Sequence, residues 1–379
     1  MCKKRIWLTI GIILLFIGTC VLPSIAQNTE KSQLTSRGNW LYVGGSGPGN
    51  YTKIQDAINN SSPGDTVYVY RGTYHEAPRI NVENLNVIGE GKEITIIDAN
   101  STTAVTIQKS FILFQGFTVK DISNLNFDNG IHVFGELHNI KICNNNLSIN
   151  SHGIRIDGHN NYDVIENNLF YSNFYGITLD DFNTDGHCVI RNNTFVNNYE
   201  GLYVGGLYSE ISNNTFFSCR HKAMSHTGGF HTIRNNIFIG NAIGLQSSYS
   251  GNSINGNYFI NNNVGLSANY QNSIIGNHFE NNGVGLFVGP DNEIHQNNFI
   301  KNRKHATFSD IRSNENNWDY NYWGISYHIF GYKFIFGKMQ TQIKKIIQFN
   351  PYHTDYYSIP WVKFDEYPQQ EPYDIGGKG

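Results

Sequence analysis

Three observations in the sequence predict an all-β fold, a parallel β-helix capped at both ends. Asparagine is the commonest residue, with 52 copies in 379, and glycine adds 38. An aromatic or leucine anchor returns every 19–25 residues from Leu147 onward. Around each anchor the same residue types stand in the same places. Asn, Gly and Ile are mediocre to poor helix formers, so a long helical bundle is excluded. A 39% hydrophobic content with a net charge of only −3 excludes disorder. The absence of a basic surplus argues against a nucleic-acid partner.

The repeat is explicit. Anchors fall at Leu147, Phe170, Phe195, Phe216, Phe238, Phe259, Phe279, Phe299 and Trp318. Two residues before them stand Asn145, Asn168, Asn193, Asn214, Asn236, Asn257, Asn277, Asn297 and Asn316. Three residues after them stand Asn150, Asn173, Asn198, Asn241, Asn262, Asn282, Asn302 and Asn321, interrupted once by Cys219. Five before the anchor is Ile in eight of nine coils. Segments such as Gly201-Leu202-Tyr203-Val204 alternate at period two, the signature of a half-buried strand. Asn and Gly separate these segments because both tolerate left-handed backbone. A unit of this length cannot bury its own apolar face, so it must stack on copies of itself. Stacking at one strand spacing aligns Ile with Ile and Phe with Phe, and lets each Asn bond the next in a ladder. Weaker coils continue upstream through Leu85–Gly89, Ile94–Asp98, Ile112–Val119 and Gly130–Val133. Roughly eleven to twelve coils, about 50–60 Å of rod, result.

A rod exposes strand edges at both ends and needs caps. Residues Tyr51–Ile58 predict one short helix, with Thr52 as its cap and Ile54, Ala57 and Ile58 on one face. Periodicity stops after Trp323-Gly324, and the aromatic tail predicts an irregular cap folded over the last coils. Lys3, Lys4 and Arg5 before the apolar run Ile6–Leu22, with Ser24-Ile25-Ala26 following, read as an export signal. Retention as an uncleaved anchor is the alternative, and either places the protein outside the cell or on its surface. The division is a signal peptide over 1–26, a linker over 27–39, the β-helix with its N-terminal cap over 40–324 and a capping tail over 325–379. The odd set Cys143, Cys188 and Cys219 is no disulfide framework.

The capping segment Gly64-Asp65-Thr66-Val67 with Gly72-Thr73-Tyr74-His75-Glu76 resembles the start of right-handed β-helix proteins of the pectin-lyase-like superfamily. The repeats resemble its NosD-like branch, also known for the carbohydrate-binding and sugar-hydrolysis repeat. The tail, with Asn321-Tyr322-Trp323-Gly324 and Pro372-Tyr373-Asp374-Ile375, is similar to that of secreted archaeal members. The resemblance implies a right-handed coil, and it leaves open lyases, hydrolases, epimerases, accessory proteins and surface proteins.

Function must come from side chains aligned on the outside. Eight residues after the anchor stand Arg155, Thr178, Tyr203, Met224 and Gln246; ten after stand Asp157, Asp180, Gly205, His226 and Ser248. Asp157 and Asp180 should stack with Arg155 beside them. Carboxylates one coil apart suit acid–base chemistry, Ca²⁺ through oxygen ligands, or plain strand termination. Asp181, Asp185 and His187 in the following loop are the metal candidates, with Ca²⁺ the one cofactor considered. Tyr203 and Tyr208, with Arg155, Asp157 and Asp180, are the carbohydrate-binding candidates. Tyr171, Tyr175, Trp361 and Tyr373 are further rings able to meet a sugar.

Asn183-Thr184-Asp185-Gly186 matches the first motif of polygalacturonases, but their paired Asp and Gly-His-Gly do not follow downstream. The pectate-lyase pattern needs a base opposite an acidic metal site, and Arg79, Arg191 and Lys222 have no compelling register for it. The NosD resemblance implies copper delivery, for which His221, His226 and His231 are the nearest cluster, at a spacing that fits neither a helix nor a strand face. The leading expectation is binding of an extracellular polysaccharide or cell-surface glycan without catalysis. The alternatives are a polysaccharide lyase or glycoside hydrolase, and a copper-enzyme accessory protein.

Overall fold

Each coil breaks into short strands because a residue in left-handed backbone, most often Asn or Gly, interrupts its alternating residues at the corners. The computed structural model describes residues 38–99, 103–120, 129–180, 186–311, 316–324, 333–343, 355–365 and 367–375. The expected signal peptide, and all but the last two residues of the expected linker, lie outside them. Among the described residues the strands form three long sheets of the right-handed β-helix type. Sheet 1 runs over 13 strands from Trp40–Val43 to Asn317–Asp319. Sheet 2 runs over 11 strands from Gly72–Tyr74 to Asn298–Ile300. Sheet 3 starts at Arg79–Ile80, runs through Lys304–Ile311, and gains Lys333–Ile343 and Asp355–Asp365 at its end. Pairing is parallel throughout except in that final hairpin.

The Asn-Asn doublets explain how a coil turns. The first Asn of each pair, as at Asn144, Asn167, Asn192, Asn213 and Asn235, has φ between 55° and 58°. Asn enters this left-handed region more readily than other residues bearing a Cβ. The second turns inward and bonds along the rod. Asn168 accepts from the backbone N–H and the Nδ2 of Asn145, at 3.0 and 3.2 Å. It also donates to the Ile142 carbonyl at 2.9 Å. The same set repeats through Asn193, Asn214, Asn236, Asn257, Asn277 and Asn297. Inside, the Phe170–Phe299 column stacks with centroids 4.5–4.9 Å apart.

Two registers differ from the expectation. Trp318 does not continue the Phe column; it pairs with Ile294 in sheet 1, while Trp323 stacks on Phe299 at 4.4 Å. The longer excursion through Lys304–Ile311 and beyond inserts four residues there. Asn316 therefore leaves the first ladder, and Asn321 takes its place by accepting from Asn297. Asn316 instead ends a third ladder, Asn252–Asn272–Asn292–Asn316. The coil after Phe216 carries one extra residue, so Ser225 and Thr227 face outward, and Met224 and His226 are fully buried.

Both ends are closed by carboxylates. The helix is Ile54–Asn59, and Thr52 does not cap it: Glu76 accepts from the N–H groups of Ile54 and Gln55 at 2.8 and 3.0 Å. A charged acceptor reaching in from another coil makes a stronger bond than a local hydroxyl would. At the other end Asp365 accepts from Asn321 and from Trp323 Nε1. Outside, charges of opposite sign alternate along the rod, as in Lys141–Glu166–Arg191 with bonds of 2.7 Å.

Candidate functional site

The outward face of sheet 3 carries the polar side chains that the repeat does not need. In strand His152–Asp157, residues 154 and 156 point inward, leaving His152, Arg155 and Asp157 outside. In the next two strands the same positions are Tyr175, Thr178 and Asp180, then Glu200 and Tyr203. Asp157 and Asp180 are register partners, one coil apart. Arg155 Nε meets Asp157 at 2.8 Å, and Arg155 Nη2 meets Asp180 at 3.3 Å. His132, one coil back, reaches Asp157 at 2.9 Å.

These neighbours pull the two carboxyls apart. Burial opposes the ionisation of Asp157, but bonds from Arg155 and His132 outweigh it and hold its carboxyl below the usual range. Burial raises Asp180, Arg155 offsets this only in part, and the charge of Asp157 adds to the rise. Adjacent carboxyls whose surroundings shift them in opposite directions are the arrangement acid–base sites use.

Further along the face lies a groove of about 540 Å³. Tyr175, Asp180, Glu200, Tyr203, Lys222 and Ser248 are among its lining residues, drawn from four successive coils. His152, from the coil before, stacks on Tyr175 at 4.9 Å. Burial and then Arg155 push the His152 imidazole down to about 4, so it is neutral. Glu200 is buried, accepts from the Ser225 hydroxyl, and lies 3.7 Å from His221. Tyr203 bonds Thr227 at 2.8 Å. One flank is a stack of Phe174, Tyr199 and His221 at 4.4 and 5.1 Å.

Tyr208 does not join this face. It belongs to a corner column, Tyr162–His187–Tyr208–Phe230, whose rings stack at 5.3–5.5 Å. Both faces of Tyr208 are covered by neighbours too close to admit a sugar ring. His187, one of the metal candidates, is held between Tyr162 and Tyr208 in the same way; Asp181 and Asp185 lie outside the described residues. Among the described residues, no group of three or more His, Cys, Asp or Glu could hold a metal ion. Tyr373 donates to the Tyr320 carbonyl at 2.7 Å and serves the C-terminal cap. Arg191 is taken by Glu166 on sheet 1, whereas Lys222 lines the groove. The sequence names Tyr175 and Lys222 singly but not the column His152–Tyr175–Glu200–Lys222 that joins them, whose signal was a non-aliphatic residue three before the Arg155 position.

The fold has solved counterparts. DFA-IIIase from Arthrobacter chlorophenolicus A6, in complex with GF2, superposes with a TM-score of 0.56 at 14% identity, over 75% of this chain and 94% of its own. The PL6 family alginate lyase AlyGC gives 0.51 at 13% identity, over 73% of this chain and 52% of its own. Likeness at such identity establishes the fold alone. No curated protein matches the sequence. The family described as periplasmic copper-binding protein (NosD) matches residues 58–228 and 182–337, about three quarters of the chain together.

Proposed function

We propose that this chain, which belongs to the NosD family of periplasmic copper-binding proteins, works outside the cytoplasm as a glycan-binding rod. The carrying observation is the groove on sheet 3. Residues from His152 to Ser248 line it across five coils, about 19 Å at one strand spacing per coil, room for about four pyranose units. Phenol and imidazole rings alternate there with carboxylates, the mixture that meets a sugar's apolar face and its hydroxyls together. A periplasmic family agrees with an exported chain.

Among the described residues, those nearest to a copper site are His226 and His231. His226 and His231 are buried with rings 5.1 Å apart, and neither Nε2 has a hydrogen-bond partner. His226 Nδ1 donates to the Gly228 carbonyl, which leaves its Nε2 lone pair available. His231 Nδ1 accepts from the Ser209 N–H, so its Nε2 carries the proton and offers no lone pair. Burial holds His226 and His231 at about 4 and about 3, so both are neutral donors or acceptors. Burial also pushes the Cys219 thiol up to about 12, far from a thiolate ligand. One available nitrogen is not a Cu(I) site, and the pair does not fit copper.

Glycan-array screening followed by calorimetry tests the reading. A bound oligosaccharide should lose at least tenfold in affinity on Tyr203→Ala or Tyr175→Ala, with the β-rich circular dichroism spectrum retained. Retained binding in both variants would remove the groove from the account. A second reading, glycoside hydrolysis, is favoured by the split Asp157–Asp180 pair. New reducing ends, abolished by Asp180→Asn, would establish it instead.

A further inference from the structure

We propose that the groove selects uncharged glycans and excludes polyuronates; the inference rests on the glycan-binding reading above. The argument is one of charge. Lys222 is the only lysine or arginine among the groove's lining residues, against the carboxylates Asp180 and Glu200. Lys222 stands in register beside Glu200, so its charge is opposed where it enters the groove. Arg155, on the strand paired with Tyr175–Asp180, is engaged by Asp157 at 2.8 Å and by Asp180 at 3.3 Å. The Asp157 carboxyl is held ionised by Arg155 and His132 together.

A polyuronate carries one carboxylate per sugar. Laid along the groove, it would bring about four negative charges against a surface whose cations are already matched or outnumbered. Nothing in this arrangement resembles the arginine fork or lysine cluster that a row of carboxylates requires. An uncharged chain meets no such opposition. Its C–H faces find Tyr175, Tyr203 and the Phe174–Tyr199 flank, and its hydroxyls find Asp180, Glu200, Ser225 and Thr227. Asp180 and Glu200 thus act as specificity-determining groups by repulsion as well as by bonding.

The test compares neutral pentasaccharides of glucose, xylose and mannose with pentagalacturonate and pentamannuronate, by calorimetry at low salt. At least one neutral chain is expected to bind, and both uronates to bind at least tenfold more weakly. Raising the salt should narrow that gap, since repulsion is screened. Asp180→Asn with Glu200→Gln should strengthen uronate binding at least tenfold; Glu200→Gln alone, which can still accept from Ser225, gives the same direction if the double variant misfolds. Wild-type binding of a uronate as tightly as of any neutral chain overturns the proposal and leaves the glycan reading standing. So does uronate binding unchanged by both variants. Failure of both classes on a folded protein would remove the glycan reading, and this proposal with it.

Discussion

The coils between Asn252 and Asn302 and the coils between Asp163 and His231 follow one backbone path but treat one corner differently. In the later coils the residue two before the Ile column is Asn252, Asn272 or Asn292, and these bond in series with Asn316. In the earlier coils the same position is Asp163, Cys188, Ser209 and His231. The series is broken there, and Asp163 Oδ2, His226 Nε2 and His231 Nε2 are left without hydrogen-bond partners. The broken coils run 21–25 residues, against 20 for the coils from Asn252 to Asn292, and they carry the groove. Identical coils thus give the most complete bonding, whereas the coils that bear the site depart from it and lose some of it.

Removing a finished ladder residue should do most damage. Asn257 accepts twice from Asn236 and donates to Ile233 and Asn277. Asn257→Ala strands several buried groups and is expected to cost about 4 kcal/mol or more, read by guanidinium unfolding. Repairing the broken corner should do the opposite, and pH exposes it. Asp163 is held by burial at about 7, well above its unfolded value. Its stabilising contribution is full below pH ~4 and lost as pH rises through ~7, about 4 kcal/mol in all. Asp163→Asn should abolish that loss and make the protein more stable at pH 8, by urea titration.

The buried histidines carry the reverse sign. His226 and His231 are held near 4 and 3, below their unfolded values. The unfolded chain takes up their protons first, so stability falls as pH drops below ~6.5, by about 3 kcal/mol for His226 alone. His231→Asn extends the third ladder by one coil and should flatten this acid limb. The smallest contrast concerns one tight column. A Cβ on Gly244 would lie 2.5 Å from the Gly265 carbonyl oxygen, whereas Ala223 fills the equivalent place in the coil with the extra residue. Gly244→Ala should cost about 1–3 kcal/mol and Ala223→Gly about 0.5–1, by thermal melting.

The fold was legible wherever every coil repeats one solution. The Ile and Phe columns and the Asn ladder follow from spacing alone, because stacking makes each coil confirm its neighbours. Legibility failed where a coil changes length. One residue before Lys222 turned Met224 and His226 inward, and four before Asn316 exchanged the roles of Trp318 and Trp323. The third ladder escaped notice because half of its positions hold Asp, Cys, Ser or His. Of the candidate site, Arg155, Asp157, Asp180 and Tyr203 were visible as an outward register. His152 and Glu200 were not, and Lys222 was visible only without its register, since a lone polar residue at a strand start looks like any turn residue.

The carboxylate of Asp365 has a further consequence. An asparagine ladder has direction: every oxygen receives from the preceding coil, and every amide gives to the following one. Such a series has no intrinsic length, and needs only a last acceptor that demands no donor in return. Asp365 is that terminator for Asn321. Between Asn236 and Asn302 each coil presents the same donors and acceptors at an interval of 20–21 residues. A coil can therefore be excised or duplicated there with both ends of the series still satisfied. Hydrogen bonding along the ladder thus sets no fixed number of coils, and the closing group need not change with that number.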